Sequence, residues 1–158
     1  MNVKELRGRS GALAIIVIAT AAILAACQNG PPKISIEKAK AELSAAIVGE
    51  AMVAMTIRND GGSDVLSGVK TDIPGAKGSF HIMQGERMVA VDMVELLSKS
   101  SLEFKMDGSH IMIEDMPKTM KEGSHFNVIL LFQKSGEVTV PLTLQAAAAM
   151  PMGHEHHM

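Results

Sequence analysis

Two triplets of identical composition stand 29 residues apart: His81-Ile82-Met83 and His110-Ile111-Met112. On a strand, residues two apart share a face, so each triplet puts an imidazole and a thioether on one side and an isoleucine on the other. Outward strand positions more often carry Thr, Lys or Glu. Imidazole with thioether is a soft, neutral donor set, and it selects copper(I). Zinc prefers thiolate, imidazole or carboxylate, and calcium takes oxygen. A neutral thioether holds a cation without a buried cluster of anions.

A hairpin extends the first triplet. The stretch from Gly78 to Val94 has a polar, glycine-bearing loop at Gln84-Gly85-Glu86-Arg87. Four loop residues pair Met83 with Met88 and set His81 opposite Ala90. Directly opposed residues of an antiparallel pair point the same way, so His81, Met83 and Met88 share a face. Phe80, Ile82, Val89, Val91 and Met93 take the other, uniformly apolar face, which is expected to be core. In the second triplet Ile111 and Ile113 are the inward residues, and His110, Met112 and Glu114 point outward. If the two strands meet, one patch holds two imidazoles and up to three thioethers. The bland reading is two ordinary sandwich strands with His-x-Met by chance, and it leaves His81 and His110 far apart.

The elements that would carry these residues are strands. Ala51 to Arg58 alternates through Val53, Met55 and Ile57, and Asn59-Asp60-Gly61-Gly62 is a turn signal. Further strands are expected at 64–71, 78–83, 88–96, 101–106, 110–114, 126–133 and 137–144. Turn chemistry separates them at Pro74-Gly75, Asp107-Gly108, Glu122-Gly123 and Ser135-Gly136. Seven or eight short strands so punctuated suggest an antiparallel β-sandwich. Ile34 to Val48 is ambiguous: Ile34-Ser35-Ile36 alternates like a strand, and Glu37 to Ala46 has helical composition. Residues 116–121 can form one helical turn. Met52, Met55, Met106, Met116 and Met120 read as packing, since methionine fills irregular gaps, and His125 reads as a surface histidine.

The N-terminus reads as a leader. Lys4, Arg7 and Arg9 precede an apolar run from Ala12 to Ala26, short for a membrane span and typical of a secretory segment. The run ends Leu24-Ala25-Ala26-Cys27, similar to a bacterial lipobox in which the cysteine is lipidated and becomes the first mature residue. Gln28 in place of Asp fits outer-membrane sorting in a Gram-negative cell. The expected organisation is a signal peptide at 1–26, a tether at 27–33, one copper-binding domain at 34–145 and a flexible tail at 146–158. Loss of Lys4, Glu5, Arg7 and Arg9 leaves 12 basic and 16 acidic residues, a net charge of −4. Cys27 is the chain's one cysteine, so the mature domain has no disulfide, no thiolate ligand and no blue-copper site. Any soft site must use methionine, and the chain has 13. With 3% aromatic residues, no Trp or Tyr and no basic cluster, nothing points to nucleic acid.

The span from Ala51 to Leu144 resembles the periplasmic copper(I) chaperone family often called PCu(A)C, whose domain is a cupredoxin-like Greek-key β-sandwich. The family's motif is His, an optional Met, a ten-residue gap, Met, a 21-residue gap and His-x-Met. Here 21 residues separate Met88 from His110, and His110-Ile111-Met112 closes the pattern. The runs AMVAMTIRND, DVLSGVKTD and FHIM are similar to the strands that lead to the family's first ligand. Six residues separate His81 from Met88, a short first gap that fits a trimmed hairpin. The resemblance implies copper ligands at His81, Met88, His110 and Met112, with Met83 as an extra. It also implies Cu(I) delivery to a copper-accepting protein, the dinuclear centre of a haem-copper oxidase such as cytochrome c oxidase.

The tail carries Met150, Met152, His154, His156, His157 and Met158 within nine residues. Short His-rich tracts bind metals, and Cu(II) favours nitrogen donors. This is a second metal site or a solvated tail with incidental affinity. Asp92, Glu95, Glu103, Glu114 and Asp115 suggest no acid–base pair, and there is no nucleophile elbow or phosphate loop, so an enzyme is not expected. The reading is a monomeric, extracytoplasmic, lipid-anchored copper chaperone. The alternative is a metal-free, immunoglobulin-like binding or structural lipoprotein.

Overall fold

A computed structural model describes residues 30–147. The leader, Cys27 and the six tail candidates from Met150 to Met158 lie outside them. The described residues form ten strands and no helix: β1 (Ile34–Leu43), β2 (Ala51–Asn59), β3 (Asp64–Thr71), β4 (Lys77–Gln84), β5 (Arg87–Val91), β6 (Val94–Leu96), β7 (Ser100–Phe104), β8 (His110–Glu114), β9 (His125–Phe132) and β10 (Gly136–Gln145). Hydrogen bonds join them in the order β5-β4-β8-β2-β1-β10-β9-β3-β6, with β7 also on β2. One antiparallel layer is built on β1, β2, β4, β5, β7 and β8, the other on β3, β6, β9 and β10. A short parallel contact joins the layers, Ala41 opposite Leu144 and Glu42 opposite Gln145. The cupredoxin-like all-β fold read from the sequence is correct, and the sandwich is a sheet nearly closed on itself.

Closure brings β3 and β4, near opposite ends of that path, face to face. A Cβ at Gly78 on β4 would lie 2.8 Å from Val69 Cγ1 and 3.0 Å from the Val69 carbonyl on β3. Inside are Val53, Ile57, Leu66, Ile111, Ile113, Val128 and Leu130, each fully buried. Phe80 of β4 stacks on Phe104 of β7, ring centroids 6.0 Å apart. Asn59, fully buried at the end of β2, receives the Lys33 and Gly61 N–H groups on Oδ1 and donates Nδ2 to the Gly62 and Leu97 carbonyls. The Asp60 and Gly62 N–H groups donate to the Lys33 and Pro31 carbonyls. Pro31 to Lys33, expected in the tether, are therefore held by the β2–β3 turn.

Four other expectations change. Glu37 to Leu43 belongs to β1, not to a helix, because pairing with β2 and β10 overrides helical composition. The strand expected at 88–96 is two strands. β5 ends at Val91, and after Asp92-Met93 the chain crosses to pair with β3. Met93, expected in the core, is 56% exposed, and Val89 is 36% exposed. Val89 lies on the hairpin's edge strand β5, and Met93 lies past the end of β5, in the crossover to β3. Residues 116–121 make a turn, Met120 N–H to Pro117 carbonyl at 2.9 Å, rather than a helix.

Candidate metal centre

β4 lies between β5 and β8, and the registers decide which side chains meet. On one side His81 is opposite Ala90 and Met83 opposite Met88; on the other His81 is opposite His110 and Ser79 opposite Met112. The hairpin pairing read from the sequence is the observed one. The ladder runs one pair further, to Gln84 and Arg87, so the loop is Gly85-Glu86, and Gly85 has the φ of +64° that the first position of a II′ turn needs. Behind this face Phe80, Ile111 and Ile113 are buried and anchor β4 and β8.

Two imidazoles thus stand as direct cross-strand neighbours. Their ring centroids are 5.5 Å apart, with the planes tilted by 41°. Met112 is beside them along β8, and Met83 and Met88, each 41% exposed, form the outer rim on the hairpin. The five residues picked out by sequence share one face of three adjacent strands.

His110 departs from expectation in depth. It was expected outward and exposed; it is 7% exposed. β8 is an inner strand, flanked by β2 and β4, and the ring turns back so that Nδ1 lies 2.8 Å from the Gly108 carbonyl. A carbonyl can only accept, so Nδ1 donates this bond, and in the neutral ring the free lone pair is then on Nε2. That Nε2 is buried and has no hydrogen-bond partner. Buried polar atoms are nearly always paired, and an orphan calls for an explanation such as an absent ion. An N–H donated to a backbone carbonyl is also how ligating histidines are oriented. His81 is less constrained. Its Nε2 shares a hydrogen bond with the Ser79 hydroxyl at 3.2 Å, and a hydroxyl serves either tautomer. Ser109 Oγ accepts the Met83 N–H at 3.0 Å, tying the hairpin to the start of β8.

Among the described residues no three His, Cys, Asp or Glu side chains converge on a point that could hold a metal. A cation at this face would rest on two imidazoles and on sulfur, a set suited to a soft monovalent ion. His125 is a surface histidine bonded to Thr143 Oγ1 at 2.9 Å, as expected. Met55 and Met116 are core, and Met120 packs against it. Sequence reasoning missed Ser79, Ser109 and Gly108 as positioning residues, and it filed Met52 under packing. Alternation through Val53, Met55 and Ile57 does signal that Met52 points the other way.

Comparison with known proteins places the fold. The family model of LpqE-like lipoproteins matches residues 34–144. No curated protein matches the chain. A solved structure described as the copper-bound PCuAC domain from PmoF2 is 28% identical, with TM-score 0.60 over 72% of this chain and 93% of that one. The apo PmoF2 PCuAC domain is 27% identical, with TM-score 0.64 over 78% and 98%. CuI-DR1885 from Deinococcus radiodurans is 20% identical over 79% and 85%, with TM-score 0.54, a likeness of fold alone. The family model covers most of the chain, it spans the ten described strands but for Gln145 at the end of β10, and the fold is that of PCuAC domains: the chain belongs to the LpqE-like lipoprotein family.

Proposed function

We propose that the protein is an extracytoplasmic copper chaperone that takes up Cu(I) on His81, His110, Met112, Met83 and Met88 and passes it to a copper-accepting protein. One observation carries the reading: the unpartnered, buried Nε2 of His110 beside the His81 ring. Likeness to the copper-bound PCuAC domain supports it. So does the requirement of the metal-free alternative that His81 and His110 lie apart, since they are register partners.

The gradient of exposure suggests how the cargo leaves. Met83 and Met88 are the accessible donors and His110 the buried one. An incoming ligand of the partner would replace a rim thioether first, then the second, and His110 would release last. Copper stays at +1 along that path, and each donor that this chain gives up is neutral. In line with the PCu(A)C resemblance, the recipient is the dinuclear copper centre of a haem-copper oxidase such as cytochrome c oxidase. The lipoprotein family and the lipobox support a lipid anchor on Cys27. Met150, Met152, His154, His156, His157 and Met158 would form a separate Cu(II)-binding tail.

Titration of Cu(I) against a competing chelator tests the reading on the chain from Gln28, with and without residues 150–158. One tightly held Cu(I) should survive removal of the tail and disappear in the His110→Ala/Met112→Ala variant. Absence of binding once the tail is gone would overturn it.

A further inference from the structure

Met52 pairs with Met112 across β2 and β8, and with Glu42 across β1 and β2. Directly opposed residues share a face, so Ser79, Met112, Met52 and Glu42 form one row over four adjacent strands. The neighbours of Met52 along β2 go the other way: Val53 is fully buried, and Met55, two further on, is 1% exposed in the core. The row joins the imidazole pair at Ser79, whose hydroxyl is bonded to His81. At its far end the Glu42 side chain is only 12% exposed and is held by Lys40 at 3.1 Å.

Opposed Cβ atoms on such a pair are about 4.5–5.5 Å apart. Two sulfurs on one soft ion, at about 2.3 Å each, are at most about 4.6 Å apart. Methionine side chains are flexible enough for sulfurs on opposed positions to reach that separation. A leucine at position 52 would cover the sheet equally well but has no lone pair to offer.

Resting on the copper reading above, we propose that Met52 is a further thioether ligand. With Met112 it makes a second seat for Cu(I), one strand removed from the imidazole pair. Met112 is common to both seats, so the ion moves between them by exchanging one donor at a time. Only metal–ligand bonds form and break; copper stays at +1 and the thioethers stay neutral.

Methyl-labelled methionine NMR tests this on the chain from Gln28 to Met158, titrated to saturation with Cu(I), with Met52→Leu and Met55→Leu variants assigning the signals. The Met52 methyl resonance should move together with that of Met112, and that of Met55 should stay. Met52→Leu should leave the metal-free melting temperature within about 3 °C of the parent and weaken Cu(I) binding about tenfold; Met55→Leu should not weaken it. A stationary Met52 signal while Met112 moves would return Met52 to packing and leave the chaperone reading intact. If neither signal responds, both readings fall.

Discussion

His110 keeps a nitrogen away from water and gives it no partner. A buried unsatisfied acceptor costs about 1–3 kcal/mol, and a hydrogen bond such as Nδ1–H to Gly108 returns about 0.5–1.5 kcal/mol. The cost is the larger of the two, so the metal-free protein gains nothing from a histidine here. His110→Leu is therefore expected to change the unfolding free energy by less than about 2 kcal/mol. The same change should abolish the rise in Tm that Cu(I) produces by binding the folded state alone. Thermal melts with and without Cu(I) check both. A large loss of stability would mean that His110 is there to hold the fold. The chemistry of this residue was legible in the sequence and its depth was not. Alternation assigns Met112 and His110 to a face, but it carries no information about how far that face is covered. Coverage depends on β2 and β4 flanking β8 on both sides, a long-range outcome. Met52 was missed for a related reason: its own strand puts it outside, but only the β2–β8 register sets it against Met112.

Along single elements, the sequence is clearest where one pattern runs unbroken. The β4–β5 register follows from loop length and so was readable. β1 was not, and its bulge explains why. Ile34 and Ile36 face inward at even positions, whereas Ala39, Ala41 and Leu43 are the covered residues beyond it. The register slips between Glu37 and Lys40, and Lys38 takes a φ of +54°. One extra residue flips the phase of the alternation, and what remains in the sequence looks helical. Met93 shows the converse error, an alternation extended past a strand end. Asp64 marks another junction that pattern cannot reveal. It is 3% exposed at the start of β3 and gathers the turn before β10. Its carboxylate accepts the Lys134, Ser135 and Val65 N–H groups and the Ser135 hydroxyl, all at 2.7–2.9 Å. Burial pushes its pKa up, but the bonds from Ser135, Lys134 and Val65 outweigh it and hold the pKa below the usual carboxylate value. A folded-state pKa below the unfolded one means that the stabilisation is complete above the unfolded value, near 4, and is lost as pH falls through the folded one. Asp64→Asn should destabilise the protein most at pH 7, by about 1–3 kcal/mol, and the gap to the parent should narrow towards pH 3. Denaturant unfolding at several pH values measures it; a gap independent of pH would mean that the charge on Asp64 contributes nothing.

For the molecule as a whole, the site depends on closure. His81 meets His110 because β4 is held on β8 from one side while β3 presses against it from the other layer. That second contact was invisible in the sequence, as was the parallel β1–β10 join, because neither pairing leaves a local trace. Gly78 is where the contact is tightest: an added Cβ would stand 2.8 Å from Val69 Cγ1, 3.2 Å from Cγ2 and 3.0 Å from the Val69 carbonyl. Part of that clash is side chain and part is backbone, and the two parts predict different responses. Gly78→Ala must push β3 from β4, at a cost of about 1–3 kcal/mol for overpacking a tight core. Val69→Ala alone empties space and should also destabilise. Together the two substitutions should cost less than their sum by at least about 1 kcal/mol, since residues in contact couple on that scale. Recovery should stay incomplete, because the Val69 carbonyl remains in the way. Since β4 carries His81 and Met83, Gly78→Ala should also weaken Cu(I) binding more than Val69→Ala does, and the double variant should regain part of that affinity. A double-mutant cycle in denaturant, with the chelator competition run on the same four proteins, reads both quantities. Strict additivity would show that β3 and β4 tolerate separation there, and that the imidazole pair is positioned by the β4–β8 ladder alone.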